Sequence, residues 1–366
     1  MRRAWPLPIT LLVSAAACED EAAHPVADAA DAASEAGPAD VEIEVHGADV
    51  PPIDAAPAPD VVVADPLASC RGTAVPLRLA RDLPYADVRI GDDVGAFLVD
   101  WGTTGSALDP SGFAPDAPAP APGTTSQWDG FDYFGPWARV TLSIQDFSAF
   151  AEPVRQAGIL GTDFLSLNTF VVDWRARTLA RAEPGAGCSA ATLEGAGLVP
   201  LSTAGHFARD LDALLPGVPN VPAVRVRIGL AEVRAQIDTG YDDALAGPAM
   251  NVNRAFFDTV DPGLVARAAE RDLVLTTCVP GVVEPVAAWR LAAGAALELV
   301  AADGAAARRH PDALLFVKDT PPEAARCGGI GTWTTPGAQL GVSFMARAGL
   351  VVFDPEAGRV WLPRER

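Results

Sequence analysis

The feature that most constrains the fold of this 366-residue chain is an internal repeat. Residues 88–91 read VRIG, and after a short turn residues 96–103 read AFLVDWGT. In the second copy, residues 226–229 read VRIG and residues 233–241 read VRAQIDTGY. The Asp follows the Gly by nine residues in both copies. Each copy predicts a β-hairpin whose second strand ends in an Asp-x-Gly turn.

A second pair of matching segments follows the hairpins. Residues 158–165 read GILGTDFL and residues 338–345 read AQLGVSFM, and a buried β-branched strand is predicted after each. Gly and Pro are abundant, with 33 of each, which favours short strands and many turns. We therefore predict a mostly β protein with two lobes, residues 67–192 and 193–366, and a few short helices.

The second lobe is longer between its Asp and its Leu-Gly step. This insertion contains a predicted helix over residues 262–271, with Asp261 as its N-cap and Pro262 at its first position.

The N-terminus has the pattern of a secretory signal peptide over residues 1–17. Two Arg residues precede an apolar run and a group of small residues, and Cys18 follows. Residues 15–18 read AAAC and resemble a bacterial lipobox, in which the Cys is acylated, although Ala15-x-Ala17 also suits an ordinary signal peptidase. We predict lipidation at Cys18, with simple secretion as the alternative. The apolar run is shorter than the roughly 20 residues that a membrane-spanning helix needs.

Residues 18–66 predict a disordered acidic tether. Residues 19–66 hold 13 Asp or Glu and no Lys or Arg, and Ala, Pro, Asp and Val dominate the segment. Such a composition buries too little apolar surface to offset the entropy of ordering, and the repelling charges extend the chain. The formal net charge of the whole protein is −20, which argues against nucleic acid as a partner.

The chain has five cysteines. If Cys18 carries lipid, four remain, and in an oxidising compartment four cysteines allow three pairings. We favour Cys70–Cys188 with Cys278–Cys327, because each bridge then lies within one predicted lobe; four free buried thiols are the alternative. No Cys-x-x-Cys occurs and only four His are present, so neither a metal site nor a cofactor is predicted.

The duplicated motif resembles the aspartic peptidases, of both the two-lobed pepsin-like and the single-lobed retropepsin-like type. In that family each lobe supplies an Asp in an Asp-Thr/Ser-Gly loop, and an apolar-apolar-Gly segment threads beneath it. Asp238-Thr239-Gly240 matches the loop fully and Asp100-Trp101-Gly102 matches it in two of three positions. The resemblance covers about residues 70–366 and implies a bilobal fold of two pseudo-symmetric, β-barrel-like lobes.

The resemblance implies an aspartic endopeptidase with Asp100 and Asp238 as its catalytic pair. Two carboxylates held close together share one proton, so one can activate a water while the other protonates the amide carbonyl oxygen. Loop support would come from Gly102, Thr103, Thr239 and Gly240. Gly161 and Gly341, in the two Leu-Gly steps, would have a structural role beneath the loops.

Two residues depart from the family pattern. Trp101 stands where a Thr or Ser hydroxyl would reach the opposite lobe, and Tyr241 is large at a position that prefers a small residue. We assign both to the substrate cleft, together with Tyr133 at the centre of a flap predicted over residues 128–137. The alternative, given equal weight, is that the aromatic side chains of this part of the chain lie in the core: Trp101, Trp128, Phe131, Tyr133, Phe134 and Trp137.

Other functions remain open from the sequence. Asp100 and Asp238 could be ordinary strand-end turn residues, or a structural pair on a catalytically impaired, lipid-anchored peptide-binding protein. An inert envelope protein is a further alternative. For the leading interpretation we expect a polypeptide substrate or peptide ligand, a monomer, membrane contact only through the lipid, and a location in the bacterial cell envelope, on the periplasmic or outer side.

Overall fold

A computed structural model describes residues 65–112, 122–135, 137, 139–147, 154–183, 188–208, 220–243 and 247–365. The predicted signal peptide, Cys18 and nearly all of the predicted tether lie outside these residues.

The described chain is mostly β, as the sequence predicted. It contains 23 strands within the described ranges: β1 Thr73–Ala80, β2 Leu83–Ile90, β3 Asp93–Val99, β4 Ala107–Leu108, β5 Thr125–Asp129, β6 Phe131–Asp132, β7 Arg139–Ile144, β8 Gln156–Leu160, β9 Phe170–Asp173, β10 Thr178–Arg181, β11 Leu198–Ala204, β12 Ala223–Ile228, β13 Ala231–Ile237, β14 Ala249–Asn253, β15 Val265–Arg267, β16 Leu273–Thr276, β17 Val283–Leu291, β18 Leu297–Val300, β19 Ala306–His310, β20 Leu314–Lys318, β21 Ala338–Leu340, β22 Leu350–Asp354 and β23 Arg359–Pro363. The α-helices in the same ranges are α1 Thr162–Leu165, α2 Ala190–Gly195, α3 Arg254–Phe257 and α4 Val342–Ala348.

The first repeat copy forms the hairpin of β2 and β3. Gly91 opens its two-residue turn with a φ of 60°, a left-handed conformation that Gly adopts without a steric penalty. Strand β3 then runs parallel to β8, which carries the first Leu-Gly step, and β4 pairs antiparallel with β8 and parallel with β7.

The second copy repeats this pairing strand by strand. Strands β12 and β13 form a hairpin, and Gly229 opens its turn with the same φ of 60°. Strand β13 runs parallel to β21, which carries the second Leu-Gly step, and β14 pairs antiparallel with β21 and parallel with β20. The sequence repeat is therefore also a repeat of strand order and direction.

Six strands from both parts of the chain form one antiparallel arrangement, in the order β1-β10-β9-β22-β23-β11. The pairing of β9 with β22 joins the strand after the first Leu-Gly step to the strand after the second. Buried apolar side chains of both copies belong to one continuous core, which includes Phe97, Ile237, Leu160 and Leu340.

The disulfide prediction is confirmed. Cys70 is bonded to Cys188 and Cys278 to Cys327, with Cα–Cα distances of 4.5 and 5.5 Å. The predicted boundary between residues 192 and 193 falls inside helix α2.

The predicted helix over residues 262–271 is wrong in its extent. In place of one helix the range holds two 3₁₀ turns, of which the second is Ala269–Arg271. Asp261 caps the first turn, Pro262–Leu264, since its carboxylate accepts a hydrogen bond from the Gly263 N–H. The chain then enters strand β15, which pairs with β17. Pairing along a sheet edge outweighed the local helical preference of this short segment. Across the described ranges, no helix is long and apolar enough to cross a membrane.

Candidate functional site

Two strands of the repeat end at the predicted pair of carboxylates. Asp100 follows β3 and Asp238 follows β13, and their backbone N–H groups donate to the carbonyls of Leu160 and Leu340, at 3.0 and 3.1 Å. Each Asp is thus tied to the Leu of its own Leu-Gly step. Asp100 is 7% exposed and Asp238 is 5% exposed, so both carboxyl groups are almost entirely removed from bulk water.

The two carboxyl groups meet at one backbone N–H. The nitrogen of Gly240 lies 2.8 Å from Oδ1 of Asp238 and 3.0 Å from Oδ1 of Asp100, and it donates to both. The N–H of Gly102 donates to Asp100 Oδ1 at 2.6 Å. A single donor shared by two carboxylates places them side by side, although 138 residues separate the two residues in sequence.

Gly102 and Gly240 are needed because each packs on the opposite carboxyl group. A Cβ on Gly240 would lie 2.6 Å from Oδ2 of Asp100, and a Cβ on Gly102 would overlap the carboxyl group of Asp238. Any larger residue at either position would force the two carboxyl groups apart. The crossed contacts have the same pattern in both directions, as expected from the repeat.

The side chain of Thr239 joins the two motifs on one side only. Its hydroxyl donates to the carbonyl of Val99 at 2.8 Å and accepts from the N–H of Trp101 at 3.0 Å. This is the locking role that the resemblance implied for Thr239. The reciprocal contact is missing, because the first motif carries Trp101 at the matching position.

Trp101 is a correction to the sequence prediction of a cleft residue. Its side chain is fully buried and stacks on Phe353 of β22, with ring centroids 3.8 Å apart and planes 6° apart, and meets Phe170 of β9 edge-on. The indole fills the core next to the β9–β22 pair, and its N–H has no hydrogen-bond partner among the residues that the structure describes. The sequence motif does not show which way the Trp101 side chain points. It lies in the core because burial of its large apolar surface is favourable.

Tyr133 is a second correction. It is 5% exposed, and its ring packs edge-on against Phe134 with centroids 4.6 Å apart. Within the described part of the chain its hydroxyl has no hydrogen-bond partner. Burial raises the pKa of Tyr133 well above its usual value. Tyr133 therefore belongs to the core, and the sequence-based assignment to a flap over the site is withdrawn. Strand β6, just before it, pairs with β2.

Thr103 and Tyr241 have matching backbone roles. The carbonyl of Thr103 accepts from the N–H of Thr162, the first residue of α1, and the carbonyl of Tyr241 accepts from Val342, the first residue of α4, both at 3.0 Å. The Tyr241 side chain is half-buried, and its place in a cleft stays a prediction.

Gly161 and Gly341 are the N-caps of the same two helices. A Cβ on Gly341 would overlap the carboxyl group of Asp243, and a Cβ on Gly161 would lie 2.9 Å from the backbone of Gly105. Each Leu-Gly step can pass close under the loop after its motif because no Cβ stands in the way.

Sequence reasoning missed Gln339, which contacts the site directly. Its side-chain amide donates to Oδ2 of Asp238, and its own Oε1 accepts from the amide of Asn251 at 3.0 Å. All three side chains are buried, each 5% exposed or less. The signal was available as a polar residue within an otherwise apolar strand, at the position that Ile159 occupies in the first copy.

Other polar groups near the site were also missed. Asp242 forms an ion pair with Arg81 at 2.8 Å, which connects the loop after the second motif to the turn between β1 and β2. The hydroxyl of Tyr85 donates to Gln156 at 3.2 Å. The pKa of Tyr85 is raised to about 12, mainly by burial and further by the negative charges of Asp242 and Asp100.

The electrostatics of the pair favour one shared proton. Burial raises the pKa of Asp100, and hydrogen bonds with Gly102, Asp238 and Gly240 oppose that rise. Two buried carboxyl groups this close cannot both ionise without a large cost, so a proton stays on the pair at a pH where an exposed Asp is ionised. Such a pair can accept one proton and donate another in a single reaction.

Within the described ranges, no group of three or more His, Cys, Asp or Glu is placed to hold a metal ion.

The sequence matches no protein-family model and no characterised protein. Among solved structures, this chain is similar to basic 7S globulin from soybean, with 12% sequence identity and a TM-score of 0.40 over 80% of this chain and 97% of that one. A likeness of this size carries no argument about activity, so the function below rests on the residues of the site.

Proposed function

We propose that this protein is an aspartic-type endopeptidase on a bilobal, pepsin-like fold, in which Asp100 and Asp238 form a catalytic pair that shares one proton. The observation that carries the proposal is the Gly240 N–H, which lies between the two carboxyl groups. The repeated strand pairing supports a lobe for each motif, about residues 67–192 and 193–366.

In the proposed reaction a water molecule lies between the two carboxyl groups. The ionised carboxylate takes a proton from this water as its oxygen attacks the carbonyl carbon of a peptide bond. The protonated carboxyl group donates its proton to the carbonyl oxygen, which gives a neutral tetrahedral intermediate. The C–N bond then breaks as the carboxyl group that took the water proton passes it to the leaving nitrogen, while the other carboxylate takes a proton from a hydroxyl of the intermediate. The pair returns to its starting protonation state, and no covalent bond to the enzyme forms.

The rival proposal is a peptide-binding protein that kept the fold and lost the chemistry. Its motivation was Trp101, because a bulky ring between the motifs would separate the carboxyl groups. The indole points into the core, and the carboxyl groups keep a common donor. This arrangement favours the enzyme. The observation that favours the peptide-binding protein is that Trp101 supplies no hydroxyl to match that of Thr239.

The test is cleavage of casein by the purified full-length protein from acidic to neutral pH, with and without pepstatin. We expect pepstatin-sensitive cleavage that is lost in Asp100→Asn and Asp238→Asn. The matched control is Asp129→Asn, which removes an exposed carboxylate paired only with Arg139 and should cleave normally. Circular dichroism and thermal unfolding would verify that each variant folds.

Cleavage that persists in Asp238→Asn would remove the proposed role of the pair. A folded wild-type protein that cleaves nothing at any pH would favour the peptide-binding protein.

We also propose that the protein is a monomer held in the bacterial cell envelope by a lipid on Cys18, with secretion as the alternative. The two disulfides support an oxidising compartment. Mass spectrometry of the N-terminal peptide from the native host would detect the acyl groups.

A further inference from the structure

The two proposed catalytic carboxyl groups do not have equivalent surroundings. Asp100 accepts the N–H groups of Gly102 and Gly240, whereas Asp238 accepts the Gly240 N–H and a buried side-chain amide, that of Gln339. In the first copy the residue at the matching position is Ile159, whose side chain has no donor. The repeat therefore supplies an internal comparison between one carboxyl group that has a buried side-chain amide donor and one that does not.

Asn251 fixes the orientation of that amide. Its Nδ2 donates to Oε1 of Gln339 at 3.0 Å, so the Nε2 of Gln339 is left to face Asp238. The strands hold both side chains in place, because Asn251 on β14 and Gln339 on β21 are directly paired across the antiparallel ladder. An amide N–H can only donate, and a carboxylate oxygen accepts such a bond better than a carboxylic acid oxygen does.

We propose that Gln339, oriented by Asn251, is a positioning residue that holds Asp238 as the ionised carboxylate and leaves the shared proton on Asp100. The assignment deepens the proposed function and rests on it. Asp238 would then activate the water, and Asp100 would protonate the carbonyl oxygen of the substrate.

The neighbouring charged groups do not reverse this assignment. Tyr85 interacts electrostatically with Asp100, and Asp242 and Arg81 are charged groups that also act on Tyr85. Tyr85 is neutral over the relevant range, since its pKa is raised to about 12. Asp242 and Arg81 form an ion pair. Their opposite charges therefore largely offset each other in their effect on Asp100 and Asp238.

The experiment measures the two carboxyl groups directly. The full-length protein is labelled with ¹³C at its Asp carboxyl carbons, and the resonances of the pair are assigned by their loss in Asp100→Asn and Asp238→Asn. We expect the group that titrates at lower pH to be Asp238. In Gln339→Ile, which gives both copies the same residue, we expect the acid dissociation constant of Asp238 to fall by about ten- to a hundredfold.

Asn251→Ala is the second variant, in case Gln339→Ile does not fold. It leaves the Gln339 amide in place but removes the group that orients it, so a smaller change in the same direction is expected. A lower titration that belongs to Asp100, or an Asp238 titration unchanged in both variants, would overturn the assignment. An amide turned the other way would give the first of these results, because its Oε1 would then favour a protonated Asp238.

The titration does not depend on turnover, so its failure is distinct from failure of the proposed function. Where cleavage is present, the acid limb of the kcat/KM profile should move to higher pH in Gln339→Ile. A merely structural role of Gln339 would lower stability and leave that limb unchanged.

Discussion

The residue after the strand-end aspartate is Trp101 in the first motif and Thr239 in the second. Thr239 is buried and bridges the two motifs through its hydroxyl, whereas Trp101 is buried in the core against Phe353. In both motifs the Asp N–H nevertheless donates to the Leu carbonyl of its own Leu-Gly step, and the Gly packs on the opposite carboxyl group. Symmetry here is therefore maintained by the peptide groups and the glycines, and each side chain is free to take a different role.

A second difference lies beneath the loops, where Ser and Asp exchange places. In the first half Asp163 on α1 accepts from the backbone N–H and hydroxyl of Ser106 in the loop, at 2.9 and 2.6 Å. In the second half Asp243 in the loop accepts from the backbone N–H of Ser343 on α4 at 2.9 Å. Both halves therefore have a Ser–Asp hydrogen bond between the loop and the helix, with the Asp on the helix in the first half and in the loop in the second. The fold requires this Ser–Asp pair and not a particular residue at each end.

The largest expected effect comes from Trp101. Trp101→Ala removes a fully buried indole and its stack on Phe353, which should lower the free energy of unfolding by about 3–5 kcal/mol. The matched control is Trp333→Ala, because the Trp333 side chain is 41% exposed, and a loss below about 1 kcal/mol is expected. Urea unfolding of both variants measures the difference. Equal losses would mean that Trp101 is not a core residue.

The buried carboxyl groups of Asp163 and Asp243 should each contribute more stability in acid than at neutral pH. The pKa values of Asp163 and Asp243 are raised from 3.8 to about 6, mainly by burial. The folded chain therefore binds these protons more tightly than the unfolded chain does. Their stabilisation is complete below about pH 4 and is lost as the pH rises through about 6. We expect the free energy of unfolding to fall by about 2–3 kcal/mol per carboxyl group between pH 4 and pH 7.

Urea unfolding from pH 4 to pH 7 tests this slope. Asp243→Asn should remove the contribution of Asp243 to the change of the unfolding free energy with pH, because Asn does not ionise. This holds whatever the substitution does to the absolute stability. The matched control is Asp129→Asn: an exposed Arg139 partner lowers the pKa of Asp129, so its contribution changes below pH 4 and the slope above pH 4 should stay the same. An Asp243→Asn variant whose stability changes with pH as that of the wild type does would contradict the prediction. The net change alone does not test it, because buried His206 and His310, whose pKa values are lowered to about 3 and about 4, change stability in the opposite direction.

The Thr239 bridge should have an intermediate effect. Thr239→Val keeps the shape of the side chain and leaves the Val99 carbonyl and the Trp101 N–H without their partner, which should cost about 1–3 kcal/mol. Thr239→Ser retains the hydroxyl and serves as the control, with a smaller loss expected. If Thr239→Val unfolds no more easily than Thr239→Ser, the bridge does not stabilise the contact between the motifs.

The smallest expected effect is the difference in stability between loss of one disulfide and loss of the other. Cys70–Cys188 closes a separation of 118 residues and Cys278–Cys327 closes one of 49. By loop entropy alone, replacing the first bridge with two Ala should cost about 0.8 kcal/mol more than replacing the second. Thermal unfolding of the two double variants compares them directly. A larger loss from the second bridge would show that contacts in the folded state outweigh chain entropy.

The sequence alone determined the features that are local or repeated along the chain. Hairpin turns at Gly91 and Gly229, strands that end at Asp100 and Asp238, and a mostly β class all follow from turn chemistry and a repeated pattern. The cysteine pairing followed from keeping each bridge within one copy. The sequence failed for the segment after Asp261, where a good local cap was followed by a strand that only its partner β17 could stabilise.

The tertiary structure decided which distant residues meet. Thr239 reaches Val99 over 140 residues, Gln339 reaches Asp238 over 101, and Trp101 turns into the core. A strand's period of two assigns each side chain to a face, but the neighbour it meets there depends on strand order, register and the space left by other side chains. These depend on the packing of the whole chain. No motif of a few residues encodes them, which is why the asymmetry of the carboxyl pair is visible only once the chain has folded.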